Sequence, residues 1–431
     1  MKRPQTSRTR SQTGSSPAPA PGSDLSVRLI SEALAGVHLD VVVSGSIGAV
    51  ESIRFIRSLR RLGADVTPWL TRGGAQFVTP MAVGWAAARE TRMAFEAEAS
   101  HLAEGAGCIV APASASFIAK IANGITDSPA SALVTSYIGS GRPVLVLPSM
   151  HDSLADAPQV RNNLEKLREC GENVVILAPR LEEGKHKVPE PAVLADECAH
   201  AFNRIANKTR GHDESVMLTM GGTRAWIDDV RHIGNYSSGR LGTAITTELH
   251  RMGFRVHVLA AAAEFLPASC TTLTRCLTNE ELDRAAAKLL AGKDAPAAIV
   301  HAAAVLDFAP AKKRVGKTPS SEEKLQIELT ATPKILASFK GPCLAKVAFK
   351  LETDAGLEQA TAIAKKYVTA HQLTMMVVNN LTDVGPDRHK GLVFECPAAG
   401  QPVERPFECN SRDELAKTVA RHVMERLTRH N

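Results

Sequence analysis

Two segments of this chain set an apolar strand, a glycine-bearing polar turn and an amphipathic helix in direct succession, and that order constrains the fold more than any other feature. In the first, residues 39–43 read as a strand and Ser44, Gly45, Ser46, Ile47 and Gly48 as the turn. Val50, Ile53, Ile56, Leu59 and Leu62 then mark one face of a helix that Gly63 ends, and residues 65–70 resume a strand. The second segment repeats the plan. Residues 216–219 form a strand, Gly221 and Gly222 turn, and a polar stretch runs from Asp228 through Asn235 to Arg240. Leu241, Ile245, Leu249 and Met252 share a helix face that stops at Gly253, before a strand over 255–259. Such alternation predicts an α/β protein with two doubly wound, Rossmann-like domains built on parallel sheets. Ligands belong where strands end and helices begin, because the free amides of a helix N-terminus face an anion there.

A chain of 431 residues, 44% apolar and 22% charged, is large enough for two cores. The polar junction at 207–214 separates a first domain, 36–206, from a second, 214–431, behind a disordered tail over 1–30. That tail holds Lys2, Arg3, Arg8 and Arg10, much of the formal charge of +6, and aromatic residues are only 4% of the chain. Nucleic acid is therefore not an expected partner. No apolar run approaches the about 18 residues that span a bilayer, and the start lacks a secretory core, so a cytoplasmic setting without membrane contact is expected. The 8 cysteines never form a Cys-x-x-Cys pair, which argues against a zinc site or a disulfide framework. Neither opening strand leads into Gly-x-Gly-x-x-Gly with a ribose-binding acid, which argues against a dehydrogenase. Residues 309–323, rich in Lys and Pro, read as either disordered or a mobile active-site lid.

In the second half, Gly221, Gly222, Thr223 and Arg224 are followed by Ile227, Asp228, Asp229, Val230, Arg231 and by Asn235, Tyr236, Ser237, Ser238, Gly239. Ala302, Ala303, Ala304, Val305, Leu306, Asp307, Phe308 come next, then Lys317, Thr332 to Leu336, Phe349 to Thr353, and Asn379 with Asn380. This ordered set resembles the phosphopantothenate-cysteine ligase family over residues 214–425. The resemblance implies that CTP, with magnesium, converts the carboxylate of 4′-phosphopantothenate into an acyl-cytidylate that the cysteine amine attacks. It implies that Asn235 holds the acyl-nucleotide, that Asp307 lies near nucleotide and metal, and that Lys317 closes over the phosphates. Gly221, Gly222, Arg231, Ser237, Ser238, Gly239, Ala303, Ala304, Phe349 and Asn379 are its nucleotide- and substrate-binding positions. Gly222 stands where the family has proline, and Thr318 and Pro319 after Lys317 depart from it, so Lys312, Lys313 and Lys324 compete for the closing role.

Residues 39–205 carry Gly45 to Ala49, Thr71, Phe77 to Pro80, His101, Pro112 to Ala115, Asn123 to Asp127 and Pro148 to Met150. These resemble the flavin-dependent phosphopantothenoylcysteine decarboxylase family. The resemblance implies FMN held by Gly45, Ser46, Ile47, Thr71 and Ser114, with His101 catalytic. His151 stands where the family has the asparagine that holds the substrate carboxylate, and as a protonated imidazole would bind it through a charge-assisted bond. The flap, residues 182–188, has no cysteine to act as reducing-step proton donor. Cys170, in a helix-terminal turn, and Cys198, inside a helix, read as structural thiols. The first half is thus expected to bind FMN but to decarboxylate slowly or to stop at an oxidised product. Together the halves resemble the bifunctional enzymes of coenzyme A biosynthesis, which implies small-molecule substrates (phosphopantothenate, cysteine, CTP, phosphopantothenoylcysteine) and a homo-oligomer. Two other readings are a flavoprotein acting oxidatively on another cysteine-containing molecule, and a binding protein that keeps its sites without turnover.

Overall fold

A computed structural model of the chain describes residues 22–95, 101–183, 185–318, 324–341, 343–386, 388–401 and 406–428. Most of the expected tail, 1–21, lies outside the described residues. Packing divides the rest into two units, one comprising the described residues up to Leu29 and Leu34–Leu194, the other Ile30–Ala33 and the described residues from Ala195 onward.

The first unit is built on five strands, β1 (His38–Val43), β2 (Asp65–Leu70), β3 (Gly107–Ala113), β4 (Val144–Pro148) and β5 (Val174–Ile176), in the order β2-β1-β3-β4-β5. All four pairings are parallel. Val41, Val42 and Val43 are fully buried, which is why β1 ends in an apolar run: a parallel strand is covered on both faces. The turn after β1 tightens into a 3-10 segment, Ile47–Glu51, before the helix α1 (Ser52–Arg61), whose Phe55, Ile56 and Leu59 are buried. The last part of the expected tail is not loose. Arg57 donates to the carbonyls of Asp24 and Ser26, and Arg60 to that of Leu25 at 2.8 Å, so two guanidinium groups hold this segment on α1.

The second unit has eight strands, β6 (Ser215–Met220), β7 (Arg255–Ala260), β8 (Thr272–Arg275), β9 (Ala298–His301), β10 (Ala345–Glu352), β11 (Met375–Asn380), β12 (Gly391–Glu395) and β13 (Phe407–Cys409). Their order is β8-β7-β6-β9-β10-β11-β12-β13. The sheet is parallel from β8 to β11, but β12 and β13 are antiparallel, a departure from the wholly parallel expectation. The connection from β11 to β12 contains a hairpin-like reversal, Val384 bridging His389, and a short return can join only antiparallel neighbours. Val216, Leu218 and Met220 pack with Ile245 and Leu249 of the helix α3 (Arg240–Arg251) and with Leu415, Val419 and Val423 of α4 (Arg412–Thr428). Burial of each such aliphatic side chain contributes about 1.5–3 kcal/mol.

The helix α2 (Pro191–Thr209) sits before the junction expected at 207–214, yet from Ala195 it packs with the second unit. Asp196 pairs with Arg251 at 2.7 Å, and Asn203 donates to the carbonyls of Arg251 and Ala33. Ser31 donates to Glu248 at 2.7 Å, which attaches Ile30–Ala33 to the same unit.

Candidate functional site

In the second unit the ends of β6, β7 and β9 are joined by their backbones. Gly222 donates to the Ala262 carbonyl at 2.8 Å and accepts from the Ala262 amide at 3.0 Å. Ala304 donates to Gly221 at 2.8 Å, and Thr223 to Ala304 at 3.1 Å. Such closeness requires glycine. At Gly221, with φ of +81°, a β-carbon would lie 2.7 Å from the Ala262 oxygen, and at Gly222 it would overlap the Asn235 carbonyl. The proline usual in the family at this second position is absent for a visible reason: the Gly222 N–H is a donor, which proline lacks.

A cavity opens over these strand ends, lined by Gly221, Ser237, Ser238, Gly239, Ala303, Ala304, Phe349 and Asn379 among others. Gly239, at φ +82°, caps α3 without a side-chain acceptor, so the first amides of this 12-residue helix are left for a ligand. A second cavity adjoins, sharing Tyr236, Ser237 and Glu264 and lined also by Asn235, Arg224, His232 and Arg275. The Asn235 side chain lines this second cavity: its amide donates to the Val305 carbonyl at 2.8 Å and more weakly to that of Ala304.

Not every expected residue reaches these cavities. Arg231 pairs with Asp228 at 2.7 Å and donates to the Thr318 carbonyl at 3.1 Å. Asp228 is buried and accepts from the amides of Val230, Arg231 and Thr318, and the Val230 N–H above all holds its carboxyl well below the ordinary carboxylate range. The pair ties Thr318 to the polar turn and lines neither cavity. Lys317 is exposed and lines neither, whereas Lys313 pairs with Asp229 at 2.7 Å. Asp307 pairs with Lys334 at 2.6 Å, and this bond raises the lysine above its ordinary value. Among the described residues no cluster of three His, Cys, Asp or Glu side chains gathers as a metal cage. Asp307 itself lines neither cavity.

The sequence did not single out His301. Its Nδ1 lies 2.8 Å from the Thr219 hydroxyl, which also accepts from the Ala303 amide at 3.3 Å. Burial, assisted by His371, lowers it to about 4, so it is neutral at physiological pH. Its place immediately before Ala302 to Ala304 was the available signal. His389 was missed as well: it lines the first cavity and is lowered to about 4 by burial and by Arg412.

In the first unit, two cavities meet at Gly45 and Ser114. One is lined by Ser44, Thr71, Arg72, Gly73, Phe95 and Ser116, the other by Ser46, Ile47, Ser149, Met150 and His151. A β-carbon on Gly45 would stand 2.9 Å from the Gly73 backbone, so the two turns form a cradle only glycine permits. Ser114 caps the helix Ala115–Ala122, and Ser44 links to both its amide and its hydroxyl. Thr71 accepts from the Gly74 amide at 3.0 Å and so shapes its turn. This glycine cradle, beside a helix start and between two cavities, fits a flat ring with a phosphate. His101 sits in a turn, its ring edge-on to Phe95 at 5.1 Å, with a buried Nδ1 that no described residue satisfies.

His151 accepts from the Ser153 amide through Nδ1 at 3.2 Å. The flap is a hairpin, Arg180–Glu182 with Lys185–Lys187, paired onto Met150–His151. It brings His186 beside Asp152 at 3.0 Å, and no cysteine lies among the described residues lining the cavity. Cys170 is exposed at a helix end, and Cys198 is buried with its thiol pushed up by desolvation.

Residues 28–203 match the flavoprotein family, and residues 211–427 match the family described as DNA/pantothenate metabolism flavoprotein, C-terminal domain. The chain is 32% identical over 370 residues to the coenzyme A biosynthesis bifunctional protein CoaBC of Thermococcus kodakarensis, covering 84% of this chain and 89% of that one. It is 29% identical over 327 residues to a cysteine/cysteine sulfinic acid decarboxylase of an unknown prokaryote, covering 73% of this chain and 88% of the other. The solved DNA/pantothenate metabolism flavoprotein of Streptococcus pneumoniae is 22% identical, with a TM-score of 0.44, and covers 49% of this chain and 99% of its own. No helix among the described residues is long and apolar enough to cross a membrane. With a flavoprotein region ahead of a ligase region and a relative matched along most of both lengths, this chain belongs to the bifunctional family of coenzyme A biosynthesis, which joins a ligase to a decarboxylase.

Proposed function

We propose that the second unit joins 4′-phosphopantothenate to cysteine at the expense of CTP, with magnesium carried on the triphosphate. The observation that carries this reading is the convergence of the Gly221 strand end, the Gly239 cap of α3 and the Asn235 side chain on one pair of adjoining cavities. A carboxylate oxygen attacks the α-phosphorus, forming a C–O–P anhydride and expelling pyrophosphate. Two anions must meet for this, so backbone amides directed at the phosphates lower the barrier by offsetting the accumulating charge. The cysteine amine then attacks the acyl carbon, the C–N bond forms, and CMP leaves with the electron pair of the broken C–O bond. Asn235, braced on Val305, holds the anhydride between the cavities. Asp307 receives the magnesium nucleotide, and Lys317 is carried by the lid that Asp228 and Arg231 tie down. Pyrophosphate release measured with phosphopantothenate, cysteine and either CTP or ATP tests this: release with CTP supports it, and release with neither nucleotide refutes it.

For the first unit we propose FMN across the Gly45–Ser114 cradle, where it supplies two-electron oxidation and reduction of a bound thiol compound. His151 donates through Nε2–H to the substrate carboxylate, and His101, with its uncommitted Nδ1, takes the proton. A second reading is favoured by the flap, which presents His186 and Lys187 where a thiol would be needed. In that reading the unit releases an oxidised product. Product analysis after single turnover separates the two, phosphopantetheine for the first and its ene-thiol for the second.

A further inference from the structure

The cavity that adjoins the phosphate-facing one has a charge pattern that a nucleotide does not need. Arg224 and Arg275 enter it from the strands Arg224–Trp226 and β8, and Glu264 stands on the side it shares with the first cavity. The side chains of Arg224, Arg275 and Glu264 take no hydrogen bond or ion pair from any described residue. Two guanidinium groups facing an unpaired carboxylate make a poor site for a phosphate dianion, which Glu264 would repel. They suit a small zwitterion, whose carboxylate can take a two-pronged contact from arginine while its ammonium faces Glu264. The only one of the ligase's substrates with that charge pattern is the amino acid.

We propose that this cavity is the cysteine subsite of the ligase, with the α-carboxylate held by Arg275 and Arg224 and the α-ammonium directed to Glu264. The assignment rests on the ligase reading above. Asn235 lines this cavity while its amide reaches the Ala304 and Val305 carbonyls, so an amine held here lies beside the residue that holds the anhydride. Between ammonium and amide the nitrogen loses two protons. Glu264 accepts the first, which frees the lone pair that forms the C–N bond, and the second passes to solvent as the nucleoside monophosphate departs.

The test uses the full-length enzyme and its variants R275Q, R224Q and E264Q, each at a solvent-reaching position. A pyrophosphate burst with nucleotide and phosphopantothenate but no cysteine reports the first step alone. Steady-state ligation with cysteine and with cysteamine, which lacks the carboxylate, reports the second. R275Q is expected to raise KM for cysteine about tenfold or more while KM for nucleotide and phosphopantothenate holds, since a charge-assisted contact is lost. Its preference for cysteine over cysteamine should collapse by the same factor, and E264Q should slow both amines. An unchanged cysteine-to-cysteamine ratio in both R275Q and R224Q overturns the assignment. A rise in KM for phosphopantothenate instead gives the cavity to the substrate phosphate and overturns it too. Absence of any burst in the parent enzyme removes the ligase reading, and this subsite with it.

Discussion

The backbones of Gly222 and Asn235 touch so closely that any β-carbon at position 222 would overlap the Asn235 carbonyl oxygen. The glycine turn after β6 and the asparagine before α3 are thus one structural piece, and the position of the Asn235 amide depends on the missing side chain. Gly222→Ala should displace Asn235, lower stability by about 1–3 kcal/mol, as overpacking does, and reduce ligation more than nucleotide binding. Denaturant titration and nucleotide affinity together check this.

Asn235→Ala removes the amide that reaches Val305 without removing any buried apolar group. Ligation should fall about 100-fold or more while the melting temperature changes little, because a positioned donor acts mainly on the transition state. Rates and thermal unfolding measured on one preparation decide it.

Asp228 makes the attachment of Thr318 to the polar turn depend on acid. Its folded-state carboxyl is lowered chiefly by the Val230 amide, so its contribution is complete above the unfolded value of about 4 and is lost as pH falls through the depressed folded value. Asp228→Asn should be less stable than the parent at neutral pH, with the gap narrowing below about pH 4. Urea midpoints across that range measure it.

His301 acts in the same direction, in a window that opens at higher pH. Its folded value of about 4 lies below the unfolded value of about 6.5, so the unfolded chain takes up a proton first and stability falls as pH drops through that window. His200 and His389, both also lowered to about 4, add to the slope. His301→Gln should flatten it by about one proton, read from unfolding free energies against pH.

His151→Ala should raise KM for the carboxylate substrate of the first unit about tenfold or more by removing the Nε2–H donor. Flavin content should be unaffected. His151→Asn, which keeps a donor, should recover part of the loss.

Much of this architecture was legible in the residues themselves. The apolar residues of β1 and β6 are buried because both faces of each sheet are covered, and the Leu241, Ile245, Leu249 stripe of α3 marks the one face that packs on the sheet. Gly221, Ser237, Ser238, Gly239, Ala303, Ala304, Phe349 and Asn379 meet at one cavity, as strand ends in a doubly wound sheet must, while Arg231 does not reach it. Long-range pairing was not legible. Nothing local shows that Arg231 is committed to Asp228 and Thr318, that Lys334 rather than Lys317 neutralises Asp307, or that α2 packs on Arg251 beyond the polar junction. β12 and β13 escaped because their direction is set by a tight return after Asn380.

If a carboxylic acid becomes a mixed anhydride with a nucleotide in the second unit, phosphopantothenate carrying oxygen-18 in its carboxylate, turned over with CTP and cysteine, should leave one labelled oxygen in the released CMP. Label in inorganic phosphate, or in neither product, would contradict it.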